Sequence, residues 1–142
     1  MRFAGKIHKD GTFWLAEVPL FGSLTQGQTR TEALRMIQDW FESMVSHPGF
    51  SVTVIDKQKA GFEIGSSDTA TLIGLLLQRR RAMSGLSLAE VAERLGARSR
   101  TAYARYEQGS SVPSIEKLDQ LLRAVSPGKD FLIQETEADY SQ

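Results

Sequence analysis

At 142 residues the chain holds either one medium domain or two small ones, and 41% hydrophobic with 24% charged residues excludes global disorder. The 17 basic and 17 acidic side chains cancel, which excludes a uniformly basic nucleic-acid coat but not a local patch. No cysteine is present, so there is no disulfide framework or thiolate metal site. No apolar run is long enough to span a bilayer, and the start lacks a signal peptide's apolar stretch, so a cytoplasmic location is expected.

Two strand-like runs, Arg2–His8 and Thr12–Val18, flank Asp10-Gly11, a strong hairpin signal. A turn centred on those two residues pairs Lys9 with Thr12, Ile7 with Trp14, Gly5 with Ala16 and Phe3 with Val18. The side carrying Phe3, Ile7, Trp14 and Val18 is apolar and is assigned to the core. The other side, with Lys6, His8, Phe13 and Leu15, is mixed, and it is covered either by another element of this chain or by a partner protein. Ser23–Gln28 reads as a short third strand. Thr29-Arg30-Thr31-Glu32 reads as a capping box opening a helix whose apolar residues, Ala33 to Val45, recur at helical spacing. Phe50–Ile55 is strand-like, and Gly61–Gly65 is a candidate further strand. The order β-β-β-α-β predicts an α+β domain with one helix on a small sheet.

Ser66-Ser67-Asp68 supplies a cap for a helix starting near Thr69, whose stretch Leu72–Leu77 is apolar nearly all round. Such a helix is buried on several sides, either between two halves of the chain or in a dimer contact. Ser87 caps a short helix with inner face Leu88, Val91, Ala92 and Leu95, ended by Gly96. A second short helix is predicted over Arg100–Gln108. Its spacing turns Ala102, Tyr103, Tyr106 and Glu107 inward and Thr101, Ala104, Arg105 and Gln108 outward, with Arg100 at the leading edge. Residues 79–109 carry seven arginines against three glutamates, between a balanced first half and an acidic last stretch. That block suggests one surface built for an anion. Arg forks to guanine and Thr meets a phosphate or a thymine methyl, so the outward set suits a major groove.

Little else carries chemistry. The two histidines, His8 and His47, are isolated, and Asp10, Glu17, Asp56 and Glu63 form no evident magnesium cluster. No glycine-rich phosphate loop or nucleophile elbow is present. No catalytic residue, metal or cofactor is predicted, and the chain is read as a non-enzyme.

Arg81, Gly85-Leu86-Ser87, Ala92, Leu95-Gly96, Tyr106-Glu107-Gln108-Gly109, Pro113-Ser114 and Leu118 together resemble the Cro/phage-repressor (XRE) helix-turn-helix family. The resemblance implies that Ala92 lets two helices cross and that Glu107 pairs with Arg81. It also implies that Arg98, Ser99, Arg100, Thr101 and Arg105 reach bases or phosphates, with Gln108 near the backbone. The turn Ala97–Arg100 is one residue longer than the usual pattern. Phe13–Pro19, Leu24–Thr29 and Glu32-Ala33-Leu34 resemble a second family, the HicB antitoxin domain. That likeness implies a partial RNase H-like fold without the nuclease's acids.

The two in this order are similar to a HicB-type antitoxin, divided into residues 1–66 (toxin-binding) and 67–142 (helix-turn-helix, linking helix and tail). The resemblance implies a homodimer or higher oligomer that occludes a small HicA-type RNase toxin, binds double-stranded operator DNA and represses its own operon. Lys6, His8, Phe13 and Leu15 are the candidate toxin contacts. A stand-alone dimeric transcription regulator and an RNase H-like nuclease are the alternatives. The tail after Val125 either frays or continues a dimer contact through Phe131, Leu132 and Ile133.

Overall fold

In the computed structural model, residues 1–96 and 100–138 are described. Five strands, β1 (Arg2–Asp10), β2 (Phe13–Val18), β3 (Ser23–Gly27), β4 (Thr53–Asp56) and β5 (Gly61–Gly65), form one sheet in the order β3-β2-β1-β5-β4, every neighbouring pair antiparallel. Helix α1 (Arg30–Met44) lies between β3 and β4 in sequence and covers one sheet face with Ala33, Leu34, Ile37 and Phe41. Thr29 caps it by accepting the Glu32 N–H at 3.0 Å. The arrangement is α+β, with the candidate fifth strand formed.

The hairpin register differs from the predicted one. Asp10 pairs with Phe13, Lys9 with Trp14, His8 with Leu15, Ile7 with Ala16 and Lys6 with Glu17. The turn residues are therefore Gly11 and Thr12. Gly11 takes φ +62°, which suits glycine at the first central position of a two-residue turn. Moving the turn by one residue changes the pairing by two, so every side chain keeps its predicted face. Phe3, Ile7, Ala16 and Val18 are buried as expected.

The fourth strand also starts later than Phe50. The Val52 N–H donates to the Glu42 carboxylate at 3.0 Å, and the Val52 carbonyl accepts from the Gln38 amide at 3.2 Å. Side chains of α1 thus take the backbone bonds that a sheet neighbour would otherwise make. A single 3-10 turn, Pro19–Phe21, drives Phe21 into the core, edge-on to Phe3 at 5.0 Å and to Phe41 at 4.8 Å.

Four helices follow: α2 (Thr69–Met83), α3 (Leu88–Arg94), α4 (Arg100–Glu107) and α5 (Ile115–Val125). Asp68 caps α2 by accepting the Thr71 N–H (3.1 Å) and hydroxyl (2.6 Å), and these bonds hold its carboxyl below the usual carboxylate range. Thr71 through Leu77 are all buried. Of the two predicted settings, α2 takes the one between the halves, packing on the 3-10 turn, α4 and α5. One apolar core runs from the sheet through α2 to Val91, Tyr103, Leu121 and Val125. A Cβ on Gly74 would lie 2.5 Å from the Glu107 carbonyl oxygen, so glycine there allows α4 to close on α2.

Candidate nucleic-acid interface and the open sheet face

The helix pair α3–α4 is built from local signals. Ser87 accepts the Glu90 N–H at 3.0 Å and Glu90 accepts the Ser87 N–H at 3.0 Å, a complete capping box. The Ser87 backbone N–H on the carboxylate, and then the Ser87 hydroxyl, lower the Glu90 pKa. Val91 and Ala92 are buried with Leu88 and Leu95 packed beside them, as predicted for the inner face, and Gly96 ends the helix at φ +70°. Ser114 caps α5 by accepting the Lys117 N–H at 3.1 Å.

The structure anchors α4 from beneath. Arg81 makes a bidentate pair with Glu107, Nε to Oε2 at 2.6 Å and Nη2 to Oε1 at 3.0 Å, and donates to the Leu86 carbonyl at 3.0 Å. With side-chain exposures of 20% and 9%, the pair is largely withdrawn from water. Glu107 is therefore a structural acid, as the family likeness implies. Tyr103 is fully buried beside this pair, and its hydroxyl finds no hydrogen-bond partner among the described residues. Burial first, then the Glu107 carboxylate, pushes the Tyr103 pKa well above the ordinary phenol value.

The outward set is close to the predicted one. Arg100, Thr101, Arg105 and Gln108 are exposed, whereas Arg98 and Ser99 lie outside the described residues. Two positions differ. Ala102 is exposed rather than inward, and Ala104 is half-buried rather than outward. Tyr103, Tyr106 and Glu107 centre the inner face, which leaves Ala102 beyond its edge.

The basic block also divides, a correction to its reading as one anion surface. Arg79 donates to the Phe21 carbonyl at 2.8 Å and lies 5.3 Å from the Trp40 ring. Arg80 donates to the Ser126 hydroxyl at 2.8 Å and lies 5.7 Å from the Phe131 ring. Together with Arg81 they tie α2 to the sheet half, to the end of α5 and to α4. Arg94, Arg100 and Arg105 stay exposed. Sequence alone held no signal for this division, because the acceptors are distant carbonyls and side chains.

In the other half, strand alternation places Lys6, His8, Phe13 and Leu15 together on the sheet face opposite α1, with Ala4, Glu17, Leu24, Gln26 and Glu63. Phe13 is 42% and Leu24 60% exposed, so this face keeps apolar surface open to solvent. His8 faces Leu15 and Lys6 faces Glu17 in the observed register. No group of three or more potential metal-binding side chains occurs among the described residues, and no described helix is long and apolar enough to cross a membrane.

No curated protein matches the chain. Residues 72–126, from the first turn of α2 to just past α5, match the family model described as a helix-turn-helix domain. The helical half is a helix-turn-helix domain, the architecture of a DNA-binding regulator.

Proposed function

We propose that the protein is the antitoxin of a type II toxin–antitoxin pair. In this reading its helix-turn-helix domains bind a palindromic operator and its sheet half covers a small RNase toxin of the HicA type. The mechanism is occlusion, without catalysis. Two copies present their α4 helices to half-sites about one DNA turn, roughly 34 Å, apart, and repress the operon. Arg100, Thr101 and Arg105 meet bases and phosphates there, with Arg98 and Ser99 from the preceding turn and Gln108 beside the backbone.

The observation that carries the toxin half is the open sheet face. Lys6, His8, Phe13 and Leu15 share it, exposed or half-exposed, on the side of the sheet that α1 leaves bare. A small ribonuclease that grips RNA is basic, and the Glu17 carboxylate on the same face complements it.

The test is a pull-down of the chain from its native lysate with mass spectrometry of the bound material. A small basic ribonuclease in near-equal amount, inhibited when bound, supports the reading. Recovery of DNA alone removes the toxin and leaves a stand-alone dimeric transcription regulator. That second reading is favoured by the confinement of the family match to residues 72–126.

A further inference from the structure

Beyond α5, residues 127–138 stay against the molecule. A turn closed by the Lys129 N–H on the Ser126 carbonyl (3.1 Å), with Gly128 at φ +79°, redirects it. Phe131 then meets the Arg80 guanidinium, and residues further on reach the sheet. The Thr136 hydroxyl donates to Glu63 Oε2 at 2.7 Å, and Arg2 Nη1 donates to the Glu137 carbonyl at 3.1 Å. Arg2 holds the other Glu63 oxygen at 3.1 Å.

Glu63 is the register partner of Ala4, on the same face as Lys6 and His8. The tail therefore sits at one end of the open face, with the candidate toxin contacts toward the other. Between its two anchors, Leu132 and Ile133 are 98% and 93% exposed. No apolar burial holds this span, and the polar bonds at its end are ones that water replaces readily.

We propose that residues 130–138 form a displaceable strap over the Arg2–Glu63 end of the open face, competing with the protein that this face receives. The inference rests on the antitoxin reading above and adds regulation to that same site. The incoming partner must free Glu63 from Thr136, and the carboxylate so released becomes an acceptor for its cationic groups. Each encounter thus begins with the strap population to overcome, and a chain whose strap is already released binds more tightly.

The chain has no cysteine, so Ala138→Cys gives a single attachment point for a nitroxide in the 142-residue chain. The label is expected to broaden the backbone amide signals of Ala4 and Glu63 in the free chain. That broadening should vanish when Thr136→Asp sets a second carboxylate against Glu63, and again when the ribonuclease recovered in the pull-down is added to saturation. Thr136→Asp in the same chain, without label, is expected to bind that ribonuclease roughly three- to tenfold more tightly than the parent chain. No broadening in the free chain, broadening that survives either Thr136→Asp or the ribonuclease, or equal affinities would each overturn the strap. Failure of both the parent and the Thr136→Asp chain to bind any ribonuclease, with the free-chain broadening intact, would instead overturn the antitoxin reading, and the competition with it.

Discussion

Arg79, Arg80 and Arg81 close helix α2, while Arg94, Arg100 and Arg105 stand on the helix pair that follows it. As residues the two groups are identical, and in the sequence they form one basic block. In the fold the first three are spent on the protein itself, on the Phe21 carbonyl, the Ser126 hydroxyl and the Glu107 carboxylate. The second three face solvent. Charge density along a chain therefore overstates the cations that a ligand can reach. What separates the groups is whether a carbonyl or carboxylate from another element arrives within hydrogen-bonding distance.

The contrast can be broken most directly at Arg81. Arg81→Ala leaves the Glu107 carboxylate buried without its partner and is expected to destabilise the protein by about 3 kcal/mol. Chemical denaturation checks this, and an unchanged midpoint would place Arg81 with the solvent-facing group. Arg105→Ala should leave the midpoint alone and weaken operator binding by about 1–3 kcal/mol, with little loss on random DNA. Equal loss on both DNAs would make Arg105 a phosphate contact. Arg79→Ala is expected to lower stability by about 1 kcal/mol while the salt dependence of DNA binding stays as it was. Arg100→Ala should do the reverse, reducing the salt slope by about one counterion at constant stability. Fluorescence anisotropy across a salt series separates the two.

The smallest effect concerns Tyr103, packed beside the Arg81–Glu107 pair. Its pKa is raised on folding, so above about pH 10 the unfolded chain loses the phenol proton and the folded chain keeps it. Stability from this residue is whole below that pH and declines as the pH rises further. Thermal melts between neutral pH and pH 11 should show that decline in the parent chain and a smaller one in Tyr103→Phe.

Local chemistry made much of the molecule legible. Thr29, Asp68 and Ser87 cap the helices that their sequence contexts predict, and Gly96 stops α3. Alternation along β1 and β2 assigned the faces correctly even though the turn moved by one residue, because an even change in pairing preserves them. The outward Arg100, Thr101, Arg105 and Gln108 were legible for a similar reason, since helical periodicity is local. Ala102 and Ala104 were not, because alanine suits either side and the packing of α4 on α2 decides it.

By itself, then, the sequence determined the elements, their caps and the inner and outer faces, and its anchors pointed to the helix-turn-helix domain. These depend on neighbours within a few residues, where backbone geometry and side-chain spacing leave few choices. Only the tertiary structure decided that α2 sits between the halves, that Val52 bonds to α1 rather than to a strand, and which arginines remain free. It also decided that the tail returns to Glu63, 73 residues away from Thr136 along the chain. Such contacts join groups that no local pattern relates, and they form only once the shared core has brought the two halves together.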